Sequence, residues 1–180
     1  HKENPLLSNE LLIPIQVGKN DDIAKTILRD NTLDNISDKN SNYCELTATY
    51  WIWKNIKDAE YVGICHYRRY FNFFNPFYNL KPSAQKKIKI ADFKKTKTFH
   101  SDAEKMQNKI TSILKNHDII LGRPYKFKDT TLTDNFCHGH RKSDWDLTKK
   151  IIVEKYPEYQ ESITTHLDEG VTFHMGNMMI

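Results

Sequence analysis

The sequence predicts an α/β fold, a sheet flanked by helices, because helical and strand-like patterns alternate along the chain. Two pairs of elements carry this prediction: a helical pattern over 43–53 precedes the apolar run 61–67, and a second over 102–116 precedes the apolar run 117–122. With 180 residues, 38% of them hydrophobic, the chain is long enough for a domain with a substantial core. We therefore expect residues 1–180 to form a single domain.

The first quarter of the chain is predicted to contain a strand, a short helix and a polar loop. Residues 11–17 are β-rich and stop at Gly18, which is typical of a strand end. A short helix is predicted over 21–29. Residues 30–42 are rich in Asn, Asp and Ser, which predicts an ordered loop leading into the next helix.

The helix predicted after this loop has apolar residues on two adjacent faces, and we expect both faces to be buried. Asn42 and Glu45 are three residues apart and form the Asn version of a capping box, which would fix the start of the helix. One face carries Tyr43, Leu46, Tyr50 and Trp53, and the other carries Cys44, Ala48 and Trp51.

The remaining regular elements are predicted from apolar runs and helical spacing. Residues 61–67 and 117–122 are short apolar runs, as expected for buried strands of an α/β sheet. A helix is predicted over 143–156, where Pro157 would end it. Residues 171–180 are predicted to add a further strand.

Residues 72–100 differ in composition and predict a basic peripheral insertion. Seven lysines stand against one acid, Asp92, in the second part of this segment. The lysines from Lys81 to Lys97 either form a solvated face or contact anionic lipid, to which each well-placed Lys contributes about 1 kcal/mol.

Charge and hydropathy limit the classes of function. The mean hydropathy is -0.70, and no apolar run approaches the length of about 20 residues that a membrane-spanning helix needs. No secretory signal is predicted either. The net charge of +4 suits an anionic substrate but is low for a dedicated nucleic-acid-binding protein. The three cysteines are far apart in the sequence, which favours a reducing, cytoplasmic location.

Arg68 and Arg69 are the strongest candidates for ligand binding. They follow a predicted buried strand, and ligands bind at the carboxyl ends of strands in open α/β sheets. Two adjacent guanidinium groups match the oxygens of a diphosphate, although pairing with acids of the loop 30–38 is an equal alternative. His66 lies just before them and is either part of the anion site or a hydrogen-bonded strand residue.

Polar residues of the loop before the first clear helix suit a nucleoside. Asp34, Asn35 and Ser37 could bind ribose hydroxyls or base edges, but the same residue types also form turns. Asp144 and Asp146 form a D-x-D pattern, which we do not interpret as a metal site because Asp144 is expected at the N-cap of a helix and Asp146 in its first turn.

Two long segments together are similar to a known family. DNTLDNISDKNSNYCELTATYWIWKN, followed by YVGICHYRRYF, resembles the signature of bacterial capsular and exopolysaccharide biosynthesis glycosyltransferases that were long catalogued as a domain of unknown function. The resemblance extends through DIIL, NFCHGH, KYPEY and the final HMGNMMI. It implies a GT-A-like nucleotide-binding domain, with a first strand before His1 and helices after Ile180, so that this chain would be truncated at both ends.

The resemblance also implies a reaction and its partners. It predicts transfer of a sugar from a nucleotide-sugar donor, with UDP-galactofuranose as a candidate, to a lipid-linked oligosaccharide. Since arginines stand where this fold normally has metal-binding carboxylates, we expect a metal-independent enzyme without a cofactor. The site hypothesis comprises Arg68, Arg69 and His66 for the diphosphate; Asp34, Asn35 and Ser37 for the nucleoside; His140, His174 and Asn177 for the sugar or acceptor; and Asp146 or Asp168 as general base.

Two other classes of function remain open at this stage. The aromatic and basic stretch 67–74 could bind single-stranded nucleic acid. Alternatively, the chain could be a non-catalytic subunit of a polysaccharide assembly complex.

Overall fold

The computed structural model describes most of the chain, in two compact units. The described residues are 8–18, 28–66, 71, 73, 103–122, 124–174 and 179–180. The first unit comprises His1–Leu121 with Asn177–Ile180, and the second comprises Gly122–Gly176. The single domain expected from the sequence stays a prediction. None of the helices in these described ranges combines the length and apolar character that crossing a membrane requires.

Two short parallel strands open the first unit. Strand β1 (Ile15–Gln16) pairs with β2 (Leu28–Arg29), with Ile15 opposite Leu28. Leu28 and Arg29 are therefore strand residues, not the end of the helix predicted over 21–29, and residues 19–27 lie outside the described ranges. Because the strands are parallel, Gly18 and Asp30 follow them at the same edge.

The helical segment after the loop is interrupted near its start. A 3₁₀ turn (Ser37–Lys39) leads into α1 (Asn40–Tyr43), and α2 (Leu46–Asn55) follows after a break. Cys44, at the break, has φ of 49°. The predicted capping box is wrong, because Asn42 lies inside α1 and the side chain of Glu45, the N-cap of α2, makes no capping hydrogen bond.

Helix α2 buries one face, not the two that its apolar pattern predicts. Thr47, Ala48 and Trp51 are buried, and Trp51 is only 4% exposed. Trp53 is 64% exposed, and its ring contacts Lys54 Nζ at 3.9 Å. The second face is therefore only partly covered, and the cation over the Trp53 ring gives some stabilisation.

The apolar runs of the first unit meet the end of the chain. Met179 exchanges backbone hydrogen bonds with Ile64, and Ile180 does so with Ile120. The three predicted strands are therefore neighbours, with the last residues in the middle. Among the described residues this pairing consists of isolated bridges, and Val62 and Ile119 are exposed, so the prediction of fully buried strands is wrong here. Helix α3 (Ala103–Leu114) confirms the helix predicted over 102–116, and it buries Met106 and Leu114.

The second unit is mainly helical. Strand β3 (Tyr125–Lys126) pairs antiparallel with β4 (Thr172–Phe173). The elements between them are α4 (Leu132–Gly139), α5 (Lys142–Lys155), a 3₁₀ turn (Pro157–Tyr159), α6 (Gln160–Ser162) and a π-helical turn (Ile163–Asp168). Helix α5 confirms the helix predicted over 143–156. Its N-cap is Arg141, so Asp144 lies in the first turn but is not the cap.

The predicted α/β class is confirmed, with helices and small sheets in both units. The predicted insertion at 72–100, including Lys81–Lys97, lies outside the described residues apart from Phe73.

Candidate functional site

A fully buried carboxylate, Asp30, organises the loop where β1 and β2 end. It is 0% exposed. Oδ1 accepts hydrogen bonds from the Gly18 N–H at 3.0 Å and the Ser37 hydroxyl at 2.8 Å, and Oδ2 lies 2.5 Å from Thr47 Oγ1. A buried carboxylate needs several donors to offset its desolvation. Asp30 thus ties a strand end, the 3₁₀ turn and α2 to one point.

Three more hydrogen bonds hold the same loop against α2. The Trp51 indole N–H donates to the Thr32 carbonyl at 2.8 Å. The Tyr50 hydroxyl donates to Asp34 Oδ1 at 3.1 Å, and the Asn55 amide donates to the Asp34 carbonyl at 2.9 Å. Partial desolvation and the hydrogen bond to Asp34 raise the pKa of Tyr50, which is the direction expected for a hydroxyl that donates to a carboxylate. The loop is therefore held in one conformation at a strand end, where α/β folds bind ligands.

The structure brings the three predicted nucleoside residues together on this loop. Asp34 is exposed beside Tyr50, and the Asn35 side chain caps the turn by accepting from the Ser37 N–H at 3.1 Å. Ser37 is only 3% exposed and donates its hydroxyl to Asp30. Asp34 is the most accessible of the three. Nucleoside binding by these residues stays a prediction.

The predicted diphosphate residues are only partly described. His66 is half-buried, whereas Arg68 and Arg69 lie outside the described residues. Just before them, Cys65 contributes to a cavity of about 300 Å³ in the first unit, whose lining includes Phe71, Met106 and Ile180. Burial raises the pKa of the Cys65 thiol, against a backbone hydrogen bond with Phe71 that lowers it. The neutral thiol is a packing group rather than a nucleophile.

The two candidate general bases share a lysine in the second unit. Lys149 Nζ lies 2.7 Å from Asp168 Oδ1 and 3.8 Å from Asp146 Oδ1, and Lys142 pairs with Asp146 at 2.7 Å. Burial acts to raise the pKa of Asp168, but hydrogen bonds from Lys149 and Thr133 and the lysine charges outweigh it, so this pKa is lowered. A carboxylate with a lowered pKa is a weaker base.

Asp168 also positions an aromatic cluster. The Thr133 hydroxyl donates to Asp168 Oδ1 at 2.7 Å and accepts from the Trp145 indole N–H at 2.9 Å. Phe136 stacks on Trp145, with ring centroids 4.5 Å apart, and on His140, 4.3 Å apart. The ion pair of Asp168 with Lys149 is thus connected through Thr133 to the orientation of these rings.

The last two predicted sugar or acceptor residues lie near the end of the chain. His174 Nδ1 is 2.6 Å from the Gly122 carbonyl oxygen. A carbonyl can only accept, so Nδ1 carries a proton and Nε2 of the neutral ring is the basic nitrogen. This arrangement is that of a histidine base whose tautomer is fixed by a backbone carbonyl. Asn177 lies outside the described residues.

The D-x-D pattern does not form a carboxylate pair at a strand end. Asp144 and Asp146 lie early in α5, and Asp146 is paired with Lys142 and Lys149. Within the described ranges, no group of three or more His, Cys, Asp or Glu side chains is placed to hold a metal ion. Metal independence stays a prediction.

Sequence reasoning missed Asp30 and the Thr133–Trp145 pair. Asp30 lies 7 residues from Ser37 and 17 from Thr47, so no local pattern connects them. A weak signal existed, since a Thr at position 47 interrupts the apolar stripe of a predicted buried helix and needs a buried partner.

Comparisons with known proteins agree with this architecture. The model of a family described as "Domain of unknown function (DUF4422)" matches residues 1–180. A solved structure titled as the apo form of the WbbM bifunctional glycosyltransferase matches 99% of this chain at 29% sequence identity, with a TM-score of 0.76. The chain spans 32% of the length of that protein. A comparison with curated proteins found no match. The chain is thus related to a glycosyltransferase.

Proposed function

We propose that this chain, which belongs to the DUF4422 family, forms part of a glycosyltransferase that moves a sugar from a nucleotide-sugar donor to a saccharide acceptor. The observation that carries the proposal is the match to WbbM, which extends over 99% of the chain at a TM-score of 0.76. At 29% identity over that length, the likeness includes sequence as well as fold. WbbM is bifunctional and about three times longer, so the proposal concerns glycosyl transfer as a class of reaction.

The donor site of the proposal lies in the first unit. The loop after β2 is fixed by Asp30 and offers the exposed carboxylate of Asp34, which suits the hydroxyls of a ribose. Arg68 and Arg69, with His66, would hold the diphosphate because guanidinium groups bind phosphate oxygens bidentately. As the nucleoside diphosphate leaves, these fixed cations would stabilise its developing charge, a contribution of about 10²- to 10³-fold for each such group.

The acceptor hydroxyl needs a base, and the described residues favour His174 over the two carboxylates. Its Nδ1 donates to the Gly122 carbonyl, which leaves Nε2 as the proton acceptor. Asp168 is paired with Lys149 and has a lowered pKa, and Asp146 is paired with Lys142. In this proposal Asp168 orients the aromatic cluster, while His174 accepts the proton.

The finer parts of the proposal rest on the family resemblance. The candidate donor is UDP-galactofuranose, and the candidate acceptor is a lipid-linked capsular or exopolysaccharide oligosaccharide. The reaction would take place in the cytoplasm, with Lys81–Lys97 contacting the inner face of the plasma membrane through anionic lipids. No divalent metal is required in this scheme.

Calorimetric titration of UDP into the full-length protein tests the donor site. We expect binding that persists in EDTA, is lost in Arg68→Ala and is retained in Lys39→Ala, which removes an exposed cation two residues after Ser37. Turnover of a UDP-sugar by Arg68→Ala should fall at least about a hundredfold.

Results that differ from these expectations would each contradict one part of the proposal. Full activity of Arg68→Ala would refute the diphosphate assignment, and equal losses in Lys39→Ala would indicate only a general effect of positive charge. A strict Mg²⁺ or Mn²⁺ requirement would refute metal independence. If no nucleotide or nucleotide-sugar binds, the transferase proposal fails.

A further inference from the structure

We propose that the aromatic cluster of the second unit, Phe136, His140 and Trp145, is a binding subsite for a neutral sugar ring of the acceptor saccharide. This inference rests on the proposed function and specifies where the acceptor binds. The cluster faces an open cavity of about 530 Å³, whose lining also includes Arg141 and Asp144. Cavities of this size are typical of small-molecule sites.

The exposed ring of His140, at one end of the stack, provides the face that a sugar ring needs. Phe136 lies 4.3 Å from His140 and 4.5 Å from Trp145 between ring centroids, at interplanar angles of 19° and 29°. The faces of aromatic rings carry partial negative charge, so they attract the C–H groups on the apolar face of a sugar. His140 is exposed, which leaves its ring accessible to a ligand.

Trp145, one ring of the cluster, is held by hydrogen bonds before any ligand binds. The Trp145 indole donates to Thr133, Thr133 donates to Asp168, and Asp168 accepts from Lys149. Each bond restricts the next group, and the indole is therefore held in one orientation. A rigid aromatic side chain loses little conformational entropy on binding, which favours affinity for a ligand with few contacts.

The charge of the lining favours a sugar over a nucleotide. Arg141 and Asp144 contribute one cation and one anion, whereas a nucleoside diphosphate would need an excess of positive charge. The Asp144 carboxylate can accept from sugar hydroxyls, and the Arg141 guanidinium can donate to them. Within the part of the chain that the structure describes, neither side chain is in a salt bridge. The Asp144 carboxylate there accepts one long hydrogen bond, from the Ser143 hydroxyl at 3.4 Å.

The test uses methyl glycosides of galactose, glucose, mannose, rhamnose and N-acetylglucosamine as probes of the full-length protein. Saturation-transfer difference NMR should detect at least one of them, and saturating UDP should not displace it. His140→Ala should weaken its binding about three- to tenfold, the effect expected for one aromatic contact. Asp144→Asn should weaken it about tenfold, as expected for a hydrogen bond to a charged group. Lys150→Ala is the matched control, since Lys150 is exposed on the same helix and lies outside the cavity lining.

The outcomes separate this inference from the proposed function. Glycoside binding that is absent, or unchanged in both variants, overturns the aromatic subsite, and displacement by UDP identifies it as part of the donor site instead. UDP binding to the same samples reports independently on the transferase proposal. His140 and Asp144 are both exposed, so their variants should fold, and circular dichroism verifies this.

Discussion

Replacing Asp30 by Ala should destabilise the first unit strongly, although residue 30 belongs to no helix and has no apolar side chain. The substitution leaves the Gly18 N–H and the Ser37 hydroxyl buried without an acceptor. Thr47 is not orphaned, because its hydroxyl lies 3.0 Å from the Cys44 carbonyl. Each unsatisfied buried donor costs about 1–3 kcal/mol, so the loss should be about 2–6 kcal/mol in total.

The conservative variant Asp30→Asn tests whether the lost stability comes from the lost hydrogen bonds or from any substitution at position 30. Its amide oxygen still accepts from Gly18 and Ser37, and its amide NH₂ can donate to Thr47, so the expected loss is less than half that of Asp30→Ala. Asp38→Asn is the control, because Asp38 is exposed on the adjacent 3₁₀ turn and should change stability by less than about 0.5 kcal/mol.

Thermal unfolding followed by calorimetry ranks the stabilities of the three variants and the wild type. For a chain of this size each kcal/mol shifts the melting temperature by about 2–4 °C, so Asp30→Ala should lower it by at least about 4 °C. UDP binding should weaken in parallel, because the loop that carries Asp34 loses its anchor. An Asp30→Ala protein as stable as the wild type, or an Asp38→Asn protein equally destabilised, would refute the role assigned to the buried carboxylate.

Two further predictions concern a tryptophan and an ion pair. Trp51→Phe should cost about 1 kcal/mol or more by removing the buried indole hydrogen bonds, while Trp53→Phe, at a residue that is 64% exposed, should cost less than about 0.5 kcal/mol; equal effects in urea unfolding would contradict the assigned burial. The folded-state pKa of Asp168 lies below its ordinary value of 3.8. Its ion pair therefore stabilises the fold at pH values above 3.8. This stabilisation is lost as the pH falls through the lower, folded-state pKa. Lys149→Met should flatten this acid-side loss in melting experiments. Lys150→Met is the control and should change the loss little, because the pair of Lys150 with Glu154 is exposed and contributes little to stability. An unaltered profile in Lys149→Met would exclude the Asp168 ion pair as the source of the loss.

Local patterns predicted the helices better than they predicted the burial of each face. The helices over 103–114 and 142–155 follow from apolar spacing and from Pro157, which act within a few residues of the chain. Trp51 and Trp53 have similar local surroundings, yet one is buried and the other exposed, because burial depends on the loop that packs against α2.

The candidate site was predictable only in part, for a related reason. Asp34, Asn35 and Ser37 fall on one loop because they are neighbours in sequence. Asp30 and Thr47 meet only when α2 packs on the end of β2, and a separation of 17 residues hides that contact from any periodicity. The capping box at Asn42 failed because the helical segment breaks at residue 44.

Gly18 and Asn40 restrict the substitutions that each other's positions can accept. Its φ is +75°, and a Cβ atom there would lie 2.8 Å from Asn40 Oδ1. Asn40 in turn donates to the Cys44 carbonyl and to Thr47. A larger residue at position 18 would push the Asn40 side chain out of both bonds, and a change at position 40 alone would remove the same two bonds. Positions 18 and 40 should therefore covary among DUF4422 sequences, and a lineage that replaces the glycine should also have changed the asparagine.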